Sequence, residues 1–305
     1  MKYIEFVNNI QTAIENELGE NYNVTLTTII KNNGVMLEGI CISSPGIGFS
    51  PVIYLDQYYT DYKKGVSFSA TIENILSAYH ANKTISLSIS GQIINFTYLK
   101  DKIIYRLIQR NTNKKLLKEI PYIPYLDLAI VFYFLLDDKG MTVSMISNEH
   151  MRLWAINKDH LFEIAKTNTP FLLPATRCPI EDSITEILKK ALDLEITQDL
   201  LDSLIPGYQK KAPMYVLTNT MGQNGAATLL YHNKLASISK RLHDNLIVLP
   251  SSIHEVLLVP ESSISDIDGL RSSVKSINRT IVSRKDILSN NIYRYDMRKG
   301  RVSIL

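Results

Sequence analysis

The chain has 305 residues, 45% of them hydrophobic and 21% charged, with 33 Lys and Arg against 30 Asp and Glu for a formal charge of +3. These values are globular; they exclude a disordered or fibrous chain, and the total charge carries no signature of wholesale polyanion binding. Two cysteines, Cys41 and Cys178, exclude a disulfide framework and a four-thiolate metal site, and the length allows one large domain or two lobes.

Phe6, Val7, Ile10, Ala13, Ile14 and Leu18 recur at helical spacing, and Gly19 ends the helix they predict. Lys2, Glu5, Asn8 and Asn9 interrupt the apolar stretch a secretory leader needs, so a cytoplasmic protein is expected. The β-branched run Val24–Ile30, the turn Asn32-Asn33-Gly34 and the run Val35–Ile42 predict an antiparallel hairpin, because Asn-Gly accepts positive φ. A Gly/Pro/Ser loop over 43–50, a third strand over 52–55, the tyrosines 58, 59 and 62, and a helix over 71–80 complete an N-terminal α-β-β-β-α lobe. A strand over 103–108 and a short helix over 114–119 follow. Pro121-Tyr-Ile-Pro124 reads as a stiff extended connector, each proline turning its predecessor away from helix. It sets the expected boundary: 1–120 an N-terminal α+β lobe, 121–305 a C-terminal α/β lobe.

Leu128–Leu136 is apolar on both faces and bounded by Asp127 and Asp137, which predicts a covered central strand. It is far shorter than the roughly 20 residues a membrane helix needs, so no membrane association is expected. A turn at 137–140 and a returning strand over 141–146 follow, then a short helix capped by Asn148. A second helix runs from Asn157 or Lys158 to about Lys166 and is closed by Thr169-Pro170 and Leu173-Pro174. Residues 181–202 read as an acidic helical hairpin, Glu181, Asp182, Glu186, Asp193, Glu195, Asp199 and Asp202 facing only Lys189 and Lys190. Strands over 214–219 and 226–231, a helix over 234–242, two short strands around Pro250-Ser251-Ser252, a helix over 266–277 and a strand over 291–296 finish the chain. The class is α+β, the N-terminal lobe packed on a larger mixed α/β lobe.

Several blocks resemble, taken together, a bacterial family known only as a domain of unknown function and widespread in gut Clostridia. They are Lys31-Asn-Asn-Gly-Val35, Tyr54-Leu-Asp with Tyr58-Tyr59, Lys102-Ile-Ile-Tyr-Arg106, Asn148-Glu-His-Met-Arg-Leu-Trp154, Asn168-Thr-Pro, Met214-Tyr-Val-Leu-Thr-Asn219, Leu249-Pro-Ser-Ser-Ile-His-Glu-Val256 and Asn278-Arg-Thr280. The second half bears a fainter likeness to another uncharacterised bacillar family. The resemblance implies a fold and brings no reaction, ligand or catalytic residue.

Named catalytic motifs fail in turn. Gly46-Ile-Gly48 lacks the third glycine of a dinucleotide loop, and no phosphate loop or Gly-x-Ser-x-Gly elbow is present. His254-Glu255 is followed by Leu258 where a zinc-protease helix needs its second histidine. The six histidines show no spacing with carboxylates that suits a metal, and no cofactor is implied. What remains is Ser252, His254 and Glu255 beside a strand end. On a strand, Ser252 and His254 share a face and Glu255 points away, and ordinary turn chemistry explains the serines as well. Asn148, Glu149 and His150 open a helix after a strand, a common ligand-contacting place, although capping and the helix dipole account for them locally. Trp154 reads as packing. Cys178 follows Arg177, whose charge would lower the thiol pKa.

Charge is unevenly placed. From 271 to 301 nine cations (Arg271, Lys275, Arg279, Arg284, Lys285, Arg294, Arg298, Lys299 and Arg301) meet only Asp286 and Asp296, with Tyr293 and Tyr295 interleaved. Such a run tracks phosphates, forms a solvated face, or pairs with the acidic hairpin. The expected function is a non-catalytic binding or interaction protein, associated with a mobile element, that modulates a protein partner or a nucleic acid through this segment. The alternative is a hydrolase whose residues around Ser252 and His254, or His150, converge only in the fold.

Overall fold

Among the described residues, three antiparallel sheets organise the chain in a computed structural model that covers residues 1–43, 52–89, 95–136, 143–192 and 213–305. Helix α1 (Tyr3–Leu18) buries Phe6, Val7, Ile10 and Ile14, and Gly19 ends it at φ 73°. Strands β1 (Asn23–Ile30) and β2 (Met36–Ser43) pair in the predicted hairpin, and β3 (Val52–Tyr54) adds to β2. The turn between β1 and β2 is a single 3-10 turn, Asn32–Gly34, with Asn33 at φ 59°. The helices α2 (Asp56–Lys63) and α3 (Phe68–Ile89) follow, the latter longer at both ends than its apolar spacing predicts. This N-terminal unit has its own core, which includes Phe6, Ile10, Ile40, Leu55, Ile75 and Tyr79. The loop expected at 43–50 lies almost wholly outside the described residues.

After the short helix α4 (Phe96–Leu99), a second sheet is built on β6 (Leu128–Leu135), with β4 (Ile103–Gln109) on one side and β5 (Tyr122–Tyr125) and β7 (Val143–Met145) on the other. The residues read as a proline connector are therefore a paired strand. Pro124 is accommodated because β5 is an edge, where a missing N–H costs no ladder bond on the open side. Alternation along β4 and β6 is strict. Tyr105, Leu107, Ile130, Phe132 and Phe134 enter the main core, and Ile108, Ala129 and Val131 enter a smaller one with Leu117 and Ile120. That explains why β6 reads as apolar throughout.

The third sheet has the order β13-β12-β10-β11-β9-β8, with β8 Ala175–Pro179, β9 Tyr215–Asn219, β10 Leu246–Leu249, β11 Val256–Pro260, β12 Tyr293–Asp296 and β13 Arg301–Ile304. One face supplies Leu217, Leu246, Val248, Leu258 and Tyr293 to the main core, opposite the second sheet. Helices α5 (Asn148–Trp154), α6 (Lys158–Leu172) and α8 (Lys234–Leu242) contribute Trp154, Leu161, Ala165, Leu235 and Ile238 to that core. The other face packs on Val274 of α9 (Ile267–Thr280). Helix α7 (Ile180–Leu192) is the first arm of the expected acidic hairpin; residues 193–202, its other arm, lie outside the described residues.

The α+β class holds. Further local expectations change. Residues 226–231, expected as a strand, form the 3-10 stretch Gly225–Leu230, buried from Gly225 to Leu229. Helix α6 runs through Pro170 to Leu172, and the Tyr231 hydroxyl bonds the Leu173 carbonyl at 2.7 Å just beyond its end. The cores divide between Tyr79 and Leu99, and β4, before residue 120, pairs along its whole length with β6, after it.

The units meet at polar nodes. The side chain of Asn33 donates to the carbonyls of Arg284 (2.8 Å) and Ile287 (2.6 Å), while its Oδ1 accepts from the Thr112 hydroxyl (2.6 Å). Asp127 accepts from Ser289, Asn291 and Tyr293, tying the second sheet to the third.

Candidate functional site

The Pro250–Glu255 segment lies between β10 and β11 and belongs to neither, so two-residue alternation does not apply to it. It zips instead onto residues 286–289: Ile253 N donates to Asp286 O at 2.8 Å, and Leu288 N to Ser251 O at 3.0 Å. Ser252 is only 7% exposed, and its Oγ accepts the His254 amide at 2.9 Å. The hydroxyl thus closes a turn rather than meeting the imidazole. His254 has found an acid: Nε2 lies 3.3 Å from Asp286 Oδ1, and Nδ1 accepts the Asn224 amide at 3.3 Å. The proton therefore sits on Nε2, facing the carboxylate. No hydrogen bond joins Glu255 to Ser252 or His254 among the described residues. A His–Asp pair without a placed nucleophile orients a ring; it does not by itself carry acyl transfer.

At the second candidate, the helix cap is Ser147, one residue before the expected Asn148. Ser147 Oγ accepts His150 N at 3.3 Å, and His150 Nδ1 accepts Ser147 N at 3.0 Å, a reciprocal cap with histidine in the place glutamate usually takes. Asn148 is freed to bond the Lys118 carbonyl through Nδ2 (2.9 Å) and the Glu119 carbonyl through its amide (3.0 Å). Glu149 pairs with Arg152 at 2.6 Å on the exposed side. The His150 ring lies 5.2 Å from Trp154 and 5.9 Å from Phe134, and burial holds its pKa below the usual histidine value, opposed by Glu149. Trp154 is buried against Phe96 and Phe134, as a packing residue.

The basic segment is distributed over several elements. Arg294 on β12 is committed: Nε and Nη2 grip Glu261 at 2.7 and 2.9 Å, and Nη1 reaches Asp296 at 3.1 Å. Those bonds hold the Glu261 carboxyl below the usual carboxylate range. Arg271 pairs with Asp268. Arg279 on α9, Arg284 after it, and Arg298 and Arg301 at the β12–β13 turn are exposed, as are Lys275, Lys285 and Lys299. None of these seven has an ion-pair partner among the described residues. Tyr293 and Tyr295 point the other way, into the main core.

Cys178 departs from expectation. Burial, Asp182 and Glu186 push its pKa up, while Arg177 stacks over the Tyr215 ring at 4.7 Å. Neither His254 nor His150 lines any of three cavities of about 790, 320 and 560 Å3. Sequence reasoning missed Asp286, which no motif spacing ties to His254, and the side-chain reach of Asn33, whose Asn-Gly context signalled only a turn. Among the described residues no helix is long and apolar enough to cross a membrane.

No curated protein and no solved structure matches the chain. A family model matches residues 3–297, taking in the N-terminal unit and both larger sheets apart from the last strand. The chain belongs to that family, DUF5688, a family of unknown function.

Proposed function

We propose that the protein is a non-catalytic binding protein that docks an acidic partner protein on the end of α9 and the turns beyond it. The observation that carries the reading is the exposed set of cations there that form no ion pair among the described residues, next to Ile277 and Ile281, which are 42% and 77% exposed. Exposed apolar groups beside unpaired cations fit an acidic, partly apolar protein surface. Nucleic acid is disfavoured because the interleaved tyrosines that would stack on bases are in the core.

The enzyme alternative has two contacts in its favour, His254 with Asp286 and the Ser147 hydroxyl 2.9 Å from His150 Nδ1. Against it, Ser252 beside His254 is buried and accepts a backbone bond, and Ser147 is engaged as a helix cap by the His150 amide. Cross-linked capture from source-cell extract tests the two together. A partner retained by wild type and by His254→Ala, and lost with Arg279→Glu plus Ile281→Asp, supports the binding reading. Recovery of nucleic acid alone, or equal capture by the surface variant, overturns it.

A further inference from the structure

A cavity of about 320 Å3 lies where the Asn32–Gly34 turn meets residues 112–116 and Arg284. That volume is at the small end of the roughly 300–1,000 Å3 range of ligand pockets. Its lining divides by chemistry into three parts. The floor is polar and fully engaged. Besides the Asn33 bonds already described, the Asn33 amide donates to Asn113 Oδ1 (2.8 Å), and Asn113 Nδ2 donates to Asn32 Oδ1 (2.9 Å) and to the Gln109 carbonyl (2.6 Å). The Thr112 amide and hydroxyl both reach Gln109 Oε1, at 2.8 and 3.1 Å.

One wall is apolar: Ile30, Met36 and Leu116, with Met36 68% exposed although it stands on a strand. The rim is cationic: Lys114, Lys115 and Arg284. No carboxylate lines the cavity, and none of the three cations has an ion-pair partner among the described residues. Like charges gathered around a concave, low-dielectric surface raise the local potential and favour an anion there.

We infer that this cavity binds a small amphiphilic anion, its carboxylate or phosphate held by Lys114, Lys115 and Arg284 and its apolar body laid on Ile30, Met36 and Leu116. A sugar or nucleotide body is disfavoured because every side-chain N–H and O–H of Asn33, Thr112 and Asn113 is already donated within the protein, leaving no donor to read hydroxyls or a base. The floor network is preformed, so binding costs little ordering beyond the three long side chains. The cavity shares Arg284 with the docking face of α9, but Lys114, Lys115 and the apolar wall play no part in partner capture, so Lys115→Glu and the Met36 variant separate the two readings. Either reading can therefore fail alone.

The test is calorimetric titration of the full-length protein with octanoate, octyl phosphate, inorganic phosphate and octylammonium. Saturable binding of octanoate or octyl phosphate is expected, the stronger of the two identifying the headgroup. Lys115→Glu and Arg284→Glu should each weaken it by about tenfold, since each replaces a charge-assisted contact with repulsion. Met36→Ser should weaken the octyl ligands and leave inorganic phosphate unchanged. Urea midpoints near wild type show that the variants remain folded. Absence of saturable binding by both octyl anions overturns the inference, as does equal binding of octylammonium or indifference to all three substitutions. Inorganic phosphate binding as tightly as octyl phosphate overturns its apolar half.

Discussion

At His150 one imidazole serves a helix cap and a packed core together: Nδ1 accepts the Ser147 amide while the ring leans on Phe134 and Trp154. Burial penalises the imidazolium, so the folded pKa lies below the ordinary value, and protonation would also remove the Nδ1 lone pair from the cap. The sign follows from which state binds the proton first. Stability from this site is complete above the unfolded pKa of about 6.5 and declines as pH falls below it, where the unfolded chain takes up the proton. Urea midpoints measured at about pH 7.5 and pH 5 should therefore fall further for wild type than for His150→Asn. Equal falls would mean that the ring titrates as freely in the fold as out of it. Local patterning offers Asn148 as the cap and passes over Ser147, three positions before His150, because their reciprocal bond depends on where the helix begins.

At the scale of elements, the periodic segments were legible and the buried run at 226–231 was not. The α1 stripe, the β1–β2 hairpin and α8 follow from patterns that local geometry alone imposes. Residues 226–231 show the limit, because a short run buried on every side carries no period to distinguish strand from helix. Packing decides there. Gly225 sits so close to β9 and the His254 loop that an added Cβ would lie 2.6 Å from the His254 carbonyl and 2.7 Å from the Asn219 amide nitrogen. Both obstacles are backbone and cannot swing aside. Gly225→Ala should cost about 3 kcal/mol or more in urea unfolding, at the upper end of overpacking penalties. A loss below about 1 kcal/mol would show that the two segments separate easily. Pro124 makes the complementary point: its composition excludes a central strand, and only the sheet order reveals that an edge was available.

For the whole molecule, the join between units rests on a few asparagines and one aspartate. Asn33 combines a left-handed backbone with bonds to two carbonyls of the 284–287 loop, so it serves the hairpin turn and the interface at once. Asn33→Ala should destabilise by about 3 kcal/mol, from stranded carbonyls and backbone strain together. Asn33→Gly should recover about 1 kcal/mol of this, the backbone part only. If both variants unfold like wild type, the N-terminal unit does not depend on this contact. Several asparagines in the blocks that carry the family resemblance bond backbone in the same way. Asn168 reaches the Lys100 and Ile103 carbonyls, Asn219 the Gln223 carbonyl, and Asn278 the Ser289 carbonyl. Their amides fit fixed loop geometries, which is a structural use of residues that a sequence alone offers equally for binding.

Composition and periodicity determined the α+β class, the N-terminal helix and hairpin, the doubly covered strand at 128–135 and the basic bias of the last segment, because each is a local property of the chain. Tertiary structure decided what those residues face. It gave His254 an acid from 32 positions away, turned Tyr293 and Tyr295 inward, and locked Arg294 onto Glu261 and Asp296. It also gathered Lys114, Lys115 and Arg284 around one cavity. Contacts between residues distant in sequence are set by how sheets pack and loops meet, and no periodicity within a strand or helix encodes that placement.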